Sequence, residues 1–137
     1  MASIYFADSF YWIALTHRKD ASHVRAMTWL QANRGAQIIT TEEVLAEVLT
    51  WFASKGAVAR GAAVAFVRTC FTDPSLRVLP QTSADFHVAL AFYESRLDKE
   101  YSLIDCRSMV AMKSLGLADV LTNDHHFTQE GFTALFP

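Results

Sequence analysis

Asp8, Glu47, Asp105 and Asp124 are the side chains of this chain whose type and placement could do chemistry. Far apart in sequence, each directly follows a short apolar run or falls in the early turns of an expected helix. Carboxylates gathered at one place repel one another unless a divalent cation sits among them. Oxygen donors without thiolates suit Mg²⁺ or Mn²⁺ rather than zinc. A cation held in that way serves reactions at phosphate. Each acid also has a structural explanation. Asp8 could cap the helix after it, Asp105 could complete a capping box with Ser102, Asp124 could belong to a turn, and Glu47 could be an exposed edge charge. A shared location is what favours function over four separate coincidences.

The elements that must position these residues alternate between short apolar runs and longer periodic segments. Ile4 to Ala7 is a continuous apolar run ending at Asp8 and reads as a buried strand. A short helix is expected over 9–15 and another over 23–33, the second capped by Ser22 and followed by Gly35. Ile38 and Ile39 mark a second strand. Thr40 and Glu43 have capping-box spacing for a helix reaching Lys55, with Val44, Leu45, Val48 and Phe52 as its buried face. Glu47 lies at the edge of that face, and Glu43, one turn earlier, competes with it. A helix over 58–71 stops at Asp73-Pro74, and Leu76 to Leu79 is a third strand. Thr82 and Asp85 open the next helix, Leu97 to Tyr101 is a charged loop, and Ser102 caps a helix ended by Gly116. Val120 and Leu121 form a fourth strand leading to Asp124, and 125–137 is a short, partly apolar tail.

Alternation of this kind predicts a parallel sheet covered on both faces, a single three-layer α/β/α domain over 1–137. Open parallel sheets bind ligands outside the carboxyl ends of their strands. Asp8 and Asp124 follow strands directly, and Asp105 opens a helix that starts at the same edge. Glu47 is the one charge abutting its helix's apolar face, so it points inward.

Composition narrows the partners. The 137 residues are 52% hydrophobic and 19% charged, too apolar for a disordered chain. The net charge of −2 argues against broad electrostatic coating of nucleic acid. A nuclease remains compatible, because a bound cation and a few local basic residues supply the positive charge. Cys70 and Cys106 form no Cys-x-x-Cys pair, so neither a disulfide framework nor structural zinc is expected. Asp8 inside the apolar N-terminal stretch, with no basic lead, argues against a signal peptide. No apolar run approaches the roughly 18 residues of a membrane span. A reduced, cytoplasmic protein is the expectation.

Four segments in order carry a resemblance: Tyr5-Phe6-Ala7-Asp8-Ser9, Thr41 to Leu49 with Ala46-Glu47-Val48-Leu49, Tyr101-Ser102-Leu103-Ile104-Asp105-Cys106, and Leu121 to Phe127 leading to Gly131-Phe132. Taken together with total length, they resemble the PIN-domain nucleases, in particular the VapC-type toxin ribonucleases. No single motif is specific, but the ordered set is. The resemblance implies that Asp8, Glu47, Asp105 and Asp124 form a metal-binding catalytic pocket, with Ser9 and Thr122 as supporting hydroxyls. It prefers Glu47 to Glu43, since the family's acid precedes two apolar residues within its helix. It further implies an Mg²⁺- or Mn²⁺-dependent endoribonuclease, an RNA substrate, a homodimer and a small antitoxin partner. Asp8 and Asp105 would coordinate most directly, Glu47 would ligate or orient the attacking water, and Asp124 would act through water or hold a second ion.

Arg18, Lys19 and Arg107 are the candidate contacts to an RNA backbone, with solvated surface charge as the plainer reading of each. Tyr11 and Trp12 in their apolar helix belong to the core rather than to base stacking, as do Phe66, Phe71, Phe86, Phe92 and the tryptophans by default. His125 and His126 beside Asp124 invite a metal reading, but adjacent histidines rarely ligate one ion. Two other function classes compete. An aspartyl phosphatase of the haloacid-dehalogenase kind needs an acid two positions after Asp8, where Phe10 stands. A degenerate PIN-like module would bind RNA or protein without cutting.

Overall fold

Phe6 and Ala7 are fully buried at the end of the first strand, β1 (Ile4–Ala7), and that burial marks β1 as the centre of the sheet. The structure is a computed structural model that describes residues 3–137. On one side β1 pairs in parallel with β2 (Gln37–Thr41), matching Tyr5 with Ile38. On the other it pairs in parallel with β4 (Asp119–Leu121), matching Ala7 with Leu121. β3 (Leu76–Leu79) lies outside β2, and β5 (Thr133–Ala134) lies outside β4, giving the order β3-β2-β1-β4-β5, all parallel. The chain therefore moves outward from β1 through β2 to β3, then returns to lay β4 on the opposite side. That reversal opens a crevice between the carboxyl ends of β1 and β4.

Among the described residues, seven helices cover the sheet. α1 (Ser9–Thr16) packs with α2 (His23–Ala32), α3 (Glu42–Phe52) and α4 (Ala57–Cys70). α5 (Ser83–Glu94) packs along α6 (Leu103–Leu115), and α7 (His125–Gln129) contacts α6 and β5. α6 is the most deeply placed helix: Cys106, Met109 and Met112 are fully buried. Gly116 ends it in the left-handed conformation, φ 69°, which a residue without Cβ adopts at no steric cost. The parallel three-layer α/β/α architecture expected from the sequence is the one observed.

Local differences have physical causes. β2 runs on to Thr41, so Thr41 rather than Thr40 caps α3, its side chain accepting from the Val44 N–H at 3.0 Å. Thr40 is instead fully buried, donating to the Ala7 carbonyl at 2.9 Å and accepting from Trp12 Nε1 at 3.2 Å. Ser22 makes no side-chain cap; its own N–H donates to Asp20 Oδ1 at 2.8 Å. α3 stops at Phe52, three residues short of Lys55. The tail contains a helix and a fifth strand. Phe71 and Phe86 are not core residues, being 56% and 48% exposed.

Candidate active site

Asp8 stands at the N-cap position of α1 with an extended backbone, yet its side chain makes no capping bond. It is turned into the crevice, where the Thr122 hydroxyl donates to Asp8 Oδ2 at 2.9 Å. The Asp8 N–H reaches the Leu121 carbonyl at 3.4 Å, so the ends of β1 and β4 are held together just below. Thr122 is fully buried, and its Oγ1 also accepts the Asp124 N–H at 3.1 Å. One hydroxyl thus joins two of the expected acids. The other supporting hydroxyl, Ser9, donates to Glu47 Oε1 and ties the start of α1 to α3.

Asp105 does two things at once. With Ser102 it forms a reciprocal capping box, the Asp105 N–H donating to Ser102 Oγ and the Ser102 N–H to Asp105 Oδ2, both at 3.0 Å. The same carboxylate faces the crevice, 3.3 Å from His126 Nδ1. Asp124 caps α7, accepting the His126 N–H at 2.9 Å, and lies 3.2 Å from His126 Nδ1. Structural and chemical explanations coexist at these two positions.

Asp8, Glu47, Asp105 and Asp124 all line one open cleft of about 550 Å³, with Ser9, Ser102, Asn123, His125, His126 and Glu100 around them. No Arg or Lys lines it among the described residues. The electrostatic consequence is large. Burial pushes the Asp8 carboxyl up to about 7, the Thr122 bond opposes the rise, and repulsion from Glu47 and Asp105 adds to it. Glu47 is raised by burial and by Asp105 and Asp124, against the pull of the Ser9 bond. Asp105 is raised by burial and by Asp124, with Ser102 and His126 pulling the other way. An acidic cluster of oxygen donors with so little internal compensation fits a divalent cation. The donor atoms of Asp124, His125 and His126 lie within 4.8 Å of one another at this end of the cleft.

The competition between Glu43 and Glu47 resolves in space. Glu43 faces away from the cleft, where Arg107 Nε donates to Glu43 Oε2 at 2.9 Å. Arg107 is 6% exposed and also donates to the Pro80 carbonyl at 3.2 Å, with Asp85 3.4 Å away. Its guanidinium is engaged inside the fold and does not line the cleft. Arg18 and Lys19 are exposed beyond α1 and do not line the cleft. Sequence reasoning discounted His126, which reaches two of the acids as a hydrogen-bonding partner. The signal was its place two residues after a helix-capping aspartate.

A parallel sheet with acids at its carboxyl edge defines a class of protein, and a family profile for the PIN domain matches residues 5–132. The chain belongs to the PIN-domain family. Among particular proteins, it is 26% identical over 132 residues to the 23S rRNA-specific endonuclease VapC20 of Mycobacterium tuberculosis, covering 96% of this chain and 98% of that one. The crystal structure of M. tuberculosis VapC20, a sarcin-ricin loop cleaving toxin, superposes with a TM-score of 0.83 at 29% identity over 98% of this chain and 100% of that one. FitAcB of Neisseria gonorrhoeae shares the fold, with a TM-score of 0.61 at 16% identity over 98% and 96% of the two chains. The resemblance to PIN-domain proteins of the VapC type is borne out. No helix among the described residues is long and apolar enough to cross a membrane.

Proposed function

We propose that the chain is a metal-dependent endoribonuclease, the toxin of a toxin–antitoxin pair, using Mg²⁺ or Mn²⁺. The observation that carries this reading is the convergence of Asp8, Glu47, Asp105 and Asp124 on one cleft at the sheet's carboxyl edge, with no Arg or Lys lining it among the described residues. Similarity to an rRNA endonuclease supports RNA as the substrate. Asp8 and Asp105, the most buried of the four, would hold the cation, with Asp124 beside them. A divalent cation there supplies neutralisation of charge developing on the phosphoryl oxygens and acidification of water.

The chain's own residues do the rest. Glu47, fixed by the Ser9 hydroxyl, accepts a proton from the attacking water. Water oxygen bonds to phosphorus in line with the scissile P–O bond, that bond breaks, and the leaving oxygen is protonated from solvent. Asp8 would hold the cation as its carboxylate, the form that a neighbouring divalent charge would favour over the protonated one. A cytoplasmic location, a homodimer and a small antitoxin complete the reading.

The test is cleavage of a labelled RNA pool by the purified chain in Mn²⁺ or Mg²⁺, beside an EDTA sample and Asp105→Asn. Activity lost in both controls is expected. RNA affinity without any cleavage would replace the enzyme with a binding module.

A further inference from the structure

We propose that His126 is a positioning residue that sets the separation of Asp105 and Asp124, and that Tyr101 and Glu130 hold its ring in place. The inference rests on reading the cleft as a divalent-cation site, and its test separates the two.

His126 Nδ1 lies 3.3 Å from Asp105 Oδ2 and 3.2 Å from Asp124 Oδ1. Both neighbours are carboxylate oxygens, and with the proton on Nδ1 the ring donates to Asp105 while Asp124 Oδ1 lies close to the same N–H. The His126 backbone N–H gives Asp124 Oδ1 a second bond at 2.9 Å. One residue therefore supplies two donors to a pair of acids on separate helices, α6 and the start of α7. Repulsion between Asp105 and Asp124 would otherwise part them.

The ring's orientation has to come from outside its own helix. α7 has five residues, too few to hold itself against fraying. Two anchors fix it: Phe127, fully buried, and Glu130 at its C-terminal end. Glu130 is far more tightly held than a surface acid. Arg96 donates through Nε and Nη2 at 2.9 and 2.8 Å, Lys113 Nζ at 2.8 Å and Tyr101 Oη at 3.1 Å. Tyr101 is buried, and its ring lies against the His126 imidazole with centroids 5.6 Å apart. The line Glu130–Tyr101–His126 connects this cluster to the two acids. None of Glu130, Arg96, Lys113 and Tyr101 lines the cleft.

Partners one step outside a metal's ligands commonly decide its affinity by fixing ligand orientation. The experiment is calorimetric titration of Mn²⁺ into the metal-free full chain and into His126→Ala, His126→Asn, Tyr101→Phe and Glu130→Gln. Thermal unfolding is measured on each. His126→Ala should weaken Mn²⁺ binding by about 10–100-fold, whereas His126→Asn, whose amide N–H occupies the place of Nδ1–H, should stay within about threefold of the parent. The two variants should unfold at similar temperatures, so a general structural role would not separate them. Tyr101→Phe keeps the ring and loses the bond to Glu130; it and Glu130→Gln should weaken binding by about 3–10-fold.

Wild-type Mn²⁺ affinity in His126→Ala would overturn the proposal, as would equal losses in the alanine and asparagine variants, which would make the imidazole itself a ligand. Wild-type affinity in both Tyr101→Phe and Glu130→Gln would remove the outer support. No Mn²⁺ binding by the parent chain would overturn both the positioning role and the cation site. Metal binding with the predicted split but no RNA cleavage would overturn the nuclease reading alone.

Discussion

Two groups of acids lie at opposite ends of α7 and have been treated by the fold in opposite ways. At its C-terminal end a single carboxylate, Glu130, receives donors from Arg96, Lys113 and Tyr101, and is held down at about 2. At its N-terminal end Asp124 faces Asp105, with Asp8 and Glu47 beyond it in the same cleft. There the nearest donors are hydroxyls, backbone N–H groups and one imidazole, and Asp8 is pushed up to about 7. The sequence had cations to spare for the first group, and the second received none. An acid matched to cations strengthens the fold, while acids gathered without them cost stability that only an external cation returns. On the function proposed above, the difference separates an architectural acid from a functional one.

The sharpest break in that comparison is between two glutamates one turn apart on α3. Glu47→Gln should lower cleavage by about 10²-fold or more while leaving thermal stability near the parent's. Glu43→Gln should do the reverse, weakening the Arg107 pair inside the fold with little effect on turnover; a cleavage assay beside a melting curve reads both. Next in size is Glu130→Gln, which should cost about 1–3 kcal/mol in urea unfolding. The loss is held to that range because Arg96 and Lys113 are part-exposed and can turn to water.

The pH dependences of the two groups should have opposite signs. Glu130 is lowered from 4.5 to about 2, so its stabilisation is complete above 4.5 and is lost as pH falls through about 2. Asp8 is raised from 3.8 to about 7, so its protonated form favours the metal-free fold, and that contribution is lost as pH rises through about 7. Asp8→Asn should therefore raise the melting temperature of the metal-free chain at pH 8 by about 5 °C and change it little at pH 4. A lower melting temperature for the variant at pH 8 would show that Asp8 is stabilised as an anion. The smallest effect belongs to Ser9→Ala, which removes one bond to Glu47 and should slow turnover by about 3–10-fold without changing stability measurably.

Much of this was legible in the chain because strand ends are legible. An apolar run of four residues ending in aspartate places Asp8, and a two-residue run before Thr122 places Asp124. The Ser102–Asp105 spacing places a helix start, and helical periodicity turned Glu47 inward. What stayed hidden depends on distances that no spacing encodes. Arg107, two residues after Asp105, looks available for phosphate, yet residues two apart on a helix point about 200° apart, and the guanidinium meets Glu43 from α3. β5 has two residues and is recognisable only by its pairing with β4. Glu130 draws its donors from Arg96, Tyr101 and Lys113 on other elements, the first two flanking what reads as a plain charged loop. His126 was weighed as a metal ligand because histidine beside aspartate suggests one; its bonding role appears only once α6 and α7 are set side by side.

The most direct test of the central claim is the rate of RNA cleavage as Mn²⁺ is raised, for the parent chain and Asp105→Asn, both checked for folding. The rate should climb to saturation for the parent, and the variant should show no cleavage at any Mn²⁺ concentration. Equal, Mn²⁺-independent cleavage by both chains would contradict that claim.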